Sequence, residues 1–336
     1  MKFLIAGLGS IGRRHLRNLI SLGETDIVLY RTRKSTLPDE ELGRFPQEMH
    51  LREALSKHKP DAVIVANPTA FHLDVALPAA ETGSAILLEK PVSHSMDGLD
   101  VFRAAVQRAG SKVLVGFQFR FHPGLLRARE AIAAGVIGRI ISGHVHFGEY
   151  LPDWHPWEDY RGSYAARAEM GGGVVLTQCH ALDYLPWLLG GVESAWAFTA
   201  KLSDLDVNVE DTAEIGLRFQ GGALGSLHLD FNQQPPSHHL EIIGTEGSLR
   251  SDLADGATRI YSPREKRWHS HSPPSGWDRN AMFLDEMRHF IAVARGEVQP
   301  SASLKDGLRL QYLVEAVMRS SRARCLIELK DFNAAG

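Results

Sequence analysis

The chain has 336 residues, 44% of them hydrophobic and 23% charged, an ordinary globular balance with enough length for two domains. A formal net charge of −3 supplies no field to gather nucleic acid or an anionic membrane surface. Cys179 and Cys325 stand outside any paired spacing, so no disulfide framework is expected. The sequence has no apolar run of about 18 residues. The apolar run in MKFLIAGLGSIGRR is too short for a signal peptide, and the expectation is a soluble, cytoplasmic protein.

The first third alternates short apolar runs with amphipathic segments. KFLIAGL, DIVLYR, DAVIVANP, SAILLEKP and KVLVGFQF show little polar alternation, the habit of strands covered on both faces in a parallel sheet. Helical segments are predicted near 11–22, 47–57, 72–82 and 95–109, which gives a doubly wound α/β domain. Its first strand runs into G-x-G-x-x-G, at Gly7, Gly9 and Gly12, with Ser10 and Ile11 opening the helix. The spacing has a mechanical reason. The first glycine permits a tight turn, the second lets backbone approach a pyrophosphate, and the third lets helix pack closely on strand. Backbone N–H groups at the helix start then face the anion.

The second strand ends in Arg31, Thr32, Arg33 and Lys34, with no carboxylate before Asp39. An acid at this place holds the ribose 2′-hydroxyl of NAD, whereas guanidinium groups can take a 2′-phosphate in bidentate fashion. The reading is NADP(H) preferred over NAD(H); the bland alternative is a solvated basic loop. Farther on, AILLEKPVSHS stops a core strand abruptly at Glu89, Lys90 and Pro91. Ligands of open α/β sheets bind beyond the carboxyl ends of the strands, so Lys90 is either a strand cap or a reacting group.

Near Phe119–Phe121 the texture changes, and the domains are read as 1–120 and 121–336. RIISGHVHFGEY, ESAWAFTAKL, TAEIGLRF, GALGSLHLDF and HHLEIIG alternate apolar with polar residues between turn signals, as in a mostly antiparallel sheet with one free face. The segment 148–164 gathers Trp154, Trp157 and Tyr164 with other aromatics. Such rings can hold the C–H faces of a sugar, or can simply pack a domain or an interface. His144 and His146 share a strand face, and HSH at 269–271 repeats the pattern. Neither set has a third ligand at a recognisable spacing, so no metal is expected. SPREKRWHSHSPPSG, 262–276, reads as a mobile loop. Helices close the chain near 277–296 and 303–321, the second with an apolar stripe from Leu304 to Val317.

GLGSIGRRH, NPTAFH, EKP, GFQFRFHP and GGGVVLTQCHALDYLPWLLG, in that order, resemble the Gfo/Idh/MocA family of nicotinamide-dependent oxidoreductases. The resemblance implies an N-terminal Rossmann domain and a C-terminal α/β domain with a large open sheet. That sheet often forms the oligomer interface, so a homodimer or homotetramer is expected. It implies oxidation or reduction at a carbinol carbon of a sugar, cyclitol or related compound. Lys90 becomes the catalytic lysine, its bond to Pro91 often cis; Asn67, Pro68, His72 and Glu89 fall with the cofactor, and Arg120 and His180 with the substrate. Family members often carry an aspartate between the glycines and the histidine; Thr177 stands nearest that place, with the interval one residue shorter. Beside the resemblance stands a physical case: a lysine near the cationic oxidised ring has a lowered pKa and can act as a base near neutral pH. Other readings remain: a cofactor-using glycosidase on the same fold, a reductase of a non-sugar carbonyl, and a non-catalytic dinucleotide sensor.

Overall fold

A computed structural model of the chain describes residues 1–32 and 37–329. The first compact unit comprises 1–117, 169–171 and 283–311. Its parallel strands are β1 (Phe3–Ala6), β2 (Ile27–Tyr30), β3 (Gln47–Glu48), β4 (Ala62–Val65), β5 (Ala85–Leu88) and β6 (Val113–Val115), in the sheet order β3-β2-β1-β4-β5-β6. β1, β4, β5 and β6 are buried along their whole length, which is why these runs lack polar alternation. The crossovers carry α1 (Ser10–Ser21), α2 (Leu51–His58), α3 (His72–Glu81) and α4 (Leu99–Ala109).

Two helix starts differ from expectation. The segment expected to be helical from 47 first pairs Gln47 and Glu48 with β2 as an edge strand. The helix expected from 95 begins only after Gly98, whose φ of 78° cannot continue from a right-handed turn.

The second unit comprises 118–168, 172–282 and 312–336, described to residue 329. After α5 (Pro123–Ala133) come β7 (Ile140–Gly148), α6 (Val174–Thr177) and α7 (His180–Leu189). β8 (Val192–Ala200), β9 (Thr212–Phe219), β10 (Leu224–Asp230), β11 (Ser237–Gly244), β12 (Gly247–Asp252), β13 (Thr258–Ser262) and β14 (Arg267–His271) follow. The chain ends with α8 (Arg279–Arg295), α9 (Leu304–Ala323) and β15 (Ile327–Glu328). The nine-stranded sheet has the order β14-β13-β12-β11-β7-β10-β9-β8-β15. Its pairings are antiparallel except β7 with β10, which is parallel. One face buries Leu227, Leu229, Ile215, Leu217, Leu240, Ile242 and Leu249, and the other turns polar residues outward, as the alternation requires.

The stretch read as a mobile loop at 262–276 is corrected: it contains β14, paired to β13 across a tight turn. RWHSH has no buried residue, so an edge strand left no apolar signal. The stripe of α9 does go inward, with Leu308, Leu310, Leu313, Val314 and Val317 all buried. Among the described residues no helix is long and apolar enough to cross a membrane.

The third glycine of the opening motif has a measurable role. A Cβ at Gly12 would lie 1.9 Å from the Gly7 carbonyl oxygen. Gly12→Ala gains helix propensity of about 1 kcal/mol, but forcing α1 off β1 costs about 1–3 kcal/mol. The clash is with backbone and should win. A urea midpoint lower than wild type is expected, and an unchanged or raised midpoint would refute the close contact.

Candidate active site

The glycine loop joins β1 to α1. Gly7 sits at φ 92°, and Gly9 is the extended N-cap, its carbonyl accepting from Arg13 N at 3.1 Å. Among the described residues, a Cβ built at Gly9 meets nothing within 4 Å. The loop is therefore open on the side where a pyrophosphate approaches, and Ser10 and Ile11 begin the helix whose N–H groups face that space.

At the end of β2 the structure adds what the sequence did not show. Arg31 is buried, donating to Asp39 Oδ1 at 2.7 Å and to Gln47 Oε1 at 3.2 Å. Asp39, the first carboxylate after β2, folds back onto Arg31. Arg13 joins the cluster through the Leu8, Leu37 and Pro38 carbonyls and Glu41. Thr32 is exposed, and Arg33 and Lys34 lie outside the described residues.

The ends of β4 and β5 are tied together by His72. Its ring nitrogens lie 2.8 Å from the Pro91 carbonyl and 3.0 Å from that of Asn67. Burial holds its pKa below the ordinary value, and a neutral ring donates to only one of these carbonyls at a time. Asn67 Nδ2 donates to Phe71 O at 2.6 Å, and Pro68 leads into the short turn before α3. Lys90 is half-buried at the end of β5, and its bond to Pro91 is cis.

Glu89 is buried, with Oε1 2.7 Å from His15 Nε2 and Oε2 accepting from Lys90 N at 3.3 Å. Burial alone would raise its pKa, but the His15 hydrogen bond and the charges of His15 and Lys90 hold it below the usual range. Glu286 of α8 is fully buried, and neither carboxyl oxygen has a hydrogen-bond partner. Burial, with the Glu89 charge added, pushes its pKa well above the carboxylate range. Glu89 is thus shifted toward its charged form and Glu286 toward its neutral form. His15 closes the GLGSIGRRH motif without a role assigned to it there, and nothing in the sequence pointed to Glu286.

In the second unit His180 opens α7 and is buried, its Nε2 3.0 Å from the Gln118 amide nitrogen and its ring 4.9 Å from that of Phe119. Arg120 makes a buried bidentate pair with Asp183, at 3.0 and 2.6 Å. Two of the donors expected to face substrate are thus engaged by protein. Thr177 is buried, and its hydroxyl donates to Gly173 O at 2.7 Å, a bond within its own helical turn.

The carboxyl at the triglycine turn is Glu210, which sequence reasoning missed. Its Oε1 accepts from Val175 N at 3.2 Å, and a Cβ at Gly173 would come within 2.4 Å of that oxygen. Burial raises its pKa to about 7, against opposing backbone hydrogen bonds. Trp154 and Tyr164 line a shallow pocket with His155, Glu158, Tyr160 and Ser163, and its cavity volume is only about 10 Å³. Trp154 Nε1 and Ser163 Oγ are buried there without partners. Trp157 stands outside that lining, 59% exposed and 5.1 Å from the His155 ring.

Residues 1–117 match a family model described as an oxidoreductase family with an NAD-binding Rossmann fold, and residues 125–250 match the GFO/IDH/MocA C-terminal domain. The chain belongs to the GFO/IDH/MocA family. It is 27% identical to a D-apiose dehydrogenase of Paraburkholderia graminis, over 99% of this chain and 91% of that one. It is 25% identical to a myo-inositol 2-dehydrogenase of Thermotoga maritima, over 98% and 99%. A levoglucosan dehydrogenase in complex with NADH and levoglucosan superposes with a TM-score of 0.86 at 20% identity, covering 98% of this chain and 99% of that one, a likeness of fold. This GFO/IDH/MocA protein is accordingly an oxidoreductase, with an NAD-binding Rossmann unit followed by a second α/β unit.

The raised Glu286 carboxyl has a signed consequence. Folding takes up a proton there once pH exceeds the unfolded carboxylate range. The stability it supports is complete in acid and is lost as pH rises toward its folded pKa. Glu286→Gln lacks this loss. Wild type should therefore weaken relative to the variant on going from about pH 5 to about pH 8.5, by up to about 1.4 kcal/mol per pH unit. Denaturant titrations of both proteins at the two pH values test it, and a pH-independent difference would mean Glu286 is ionised in the fold.

Proposed function

We propose that the protein interconverts a secondary alcohol and its ketone on a sugar, cyclitol or sugar derivative, with Lys90 as the acid/base. The observation that carries this reading is Lys90 at the carboxyl end of β5, in the same parallel sheet whose β1 end carries the open glycine loop. The substrate class follows the relatives named for apiose and inositol. We assign residues 1–120 to dinucleotide binding and 121–336 to substrate binding and assembly.

A nicotinamide cofactor held at the loop of Gly7, Gly9 and Gly12 would supply the hydride acceptor or donor. Lys90 Nζ, as a neutral amine, accepts the hydroxyl proton during oxidation; as an ammonium it polarises the carbonyl and returns the proton during reduction. Glu89 binds the Lys90 backbone N–H and fixes where the lysine side chain starts. His180 orients the reacting hydroxyl, and Thr177 stands nearest the family's aspartate place with its own hydroxyl bound to backbone. Arg120, paired with Asp183, shapes the wall near His180. Trp154, Trp157 and Tyr164 meet the sugar's C–H faces, and the unpartnered Trp154 Nε1 supplies a donor for a hydroxyl. Trp196, Phe198 and Leu224 are exposed on the outward face of the nine-stranded sheet, which supports a homodimer or homotetramer through that face. Cys179 and Cys325 form no disulfide among the described residues, which suits a reducing cytoplasm.

Lys90→Met should lower turnover by roughly 10²–10⁴ with cofactor affinity retained, the scale of a lost general acid/base. Absorbance at the reduced-nicotinamide band with sugars and cyclitols measures it. Full activity in the variant refutes the assignment. Binding with no net absorbance change in wild type, but with glycoside cleavage, would favour the redox-neutral glycosidase.

For the cofactor we propose NADP(H) over NAD(H), on Arg31, Thr32 and the undescribed Arg33 following β2. The Arg31–Asp39 pair favours the second reading, NAD(H), because it neutralises the guanidinium and leaves a carboxylate nearby. Asp39→Asn separates them. If Arg31 serves a 2′-phosphate, NADPH should tighten about tenfold with NADH unchanged. If Asp39 serves the ribose, NADH should weaken instead. Fluorescence titration of both cofactors reads the outcome.

A further inference from the structure

The outward face of the nine-stranded sheet carries a row of residues in cross-strand register. Glu214 of β9 pairs with His228 of β10, His228 with His146 of β7, His146 with His239 of β11, and His239 with Asp252 of β12. Asp230 follows two residues after His228, on the same face. We propose that His146, His228 and Asp230 form a binding site for a divalent transition-metal ion of the zinc class.

The ligand atoms of these residues all lie within 4.8 Å of one another. His228 Nε2 and Asp230 Oδ2 are hydrogen-bonded at 3.1 Å; an ion would displace the shared proton to solvent, and the separation is already that of two ligands sharing an ion with bonds near 2.0–2.2 Å. The groups behind them are already in place. His228 Nδ1 is bound to Glu214 Oε1 at 2.6 Å, the carboxylate–histidine arrangement that fixes the tautomer and turns Nε2 toward a metal. Asp230 Oδ1 accepts from the backbone N–H groups of Asn232 and Gln233, both at 2.6 Å, so Oδ2, which here accepts from His228 Nε2, is the oxygen that would turn to an ion.

Backbone makes room for that oxygen. Gly148 lies opposite Asp230 in the register, and a Cβ there would come 2.2 Å from Asp230 Oδ2. Any other residue would push the carboxylate away from the histidines. The third ligand needs an adjustment. The His146 ring stacks on His228, with centroids 4.7 Å apart and planes at 19°, and its Nε2 is 3.2 Å from Gln233 Oε1. Closing on an ion requires His146 to turn about its side-chain bonds and exchange the Gln233 contact for the metal. His239, stacked on the other side of His146 at 5.3 Å, is the nearest further imidazole. Two nitrogens and one oxygen suit zinc, cobalt or nickel over magnesium or calcium.

The test uses the full chain, freed of metal with chelator and then titrated with Zn²⁺ by calorimetry, beside His146→Ala and Asp230→Asn. One zinc per chain is expected, with a Kd below about 10 μM, weakened at least tenfold in each variant. Co²⁺ should give a visible d–d band in wild type that His146→Ala abolishes. His146 is half-buried on an outward face, so its alanine variant should fold, and an unchanged thermal midpoint without metal checks that. Zinc binding equal in wild type and both variants overturns the proposal, as does the absence of micromolar binding.

Discussion

The first unit depends on how closely α1 lies against β1. With hydrogens as the side chains of Gly7 and Gly12, helix and turn approach to contact distance, and one turn farther along the helix His15 reaches Glu89 at the end of β5. That hydrogen bond joins the phosphate-facing loop to the strand end bearing Lys90. A larger group at position 12 would lift His15 away and leave a buried carboxylate without its partner, a costly outcome in a low-dielectric interior. The spacing of three glycines and the position of a lysine are thus one constraint.

Several buried charges in the protein are compensated by residues distant in sequence. Arg31 meets Asp39 and Gln47, Arg120 meets Asp183, and Glu89 meets His15. Each pair withdraws a charge that would otherwise be open to a ligand. The bidentate Arg120–Asp183 pair holds one turn of α7 against the segment that carries Phe119, whose ring lies against His180. Glu286 is the exception: its burial is not compensated by a hydrogen bond, which pushes its pKa upward.

Local signals made the Rossmann unit readable. Continuous apolar runs give buried parallel strands, and glycines at required spacing give the turn. The mostly antiparallel second sheet was equally visible in its alternation. What escaped was of two kinds. Edge strands such as Gln47–Glu48 and Arg267–His271 have no buried side chains to set a period. Partnerships such as Glu89–His15 and Gly173–Glu210 join residues far apart in sequence, and only folding makes them neighbours. The chemistry-bearing residues were nameable from motif order; their partners were not. The histidines of β7 were seen to share a face, but their companions on β10 lay some eighty residues on.

The parallel pairing of β7 with β10 also governs the order in which the second unit can assemble. β7 is the first strand of its sheet to emerge in the chain, yet it lies between β11 and β10, and the register joins Ser142 to Leu224 and Gly148 to Ser237. Until those later strands exist, both edges of β7 are bare. Loop closure over so long a separation is slow. Unpaired edges at that stage invite association between chains. The hairpins β8–β9–β10 and β11–β12–β13–β14 can form locally, and β7 is the seam that admits them to one sheet. A ribosome-bound or freshly diluted chain would therefore be most vulnerable to aggregation between the completion of β7 and the arrival of β11.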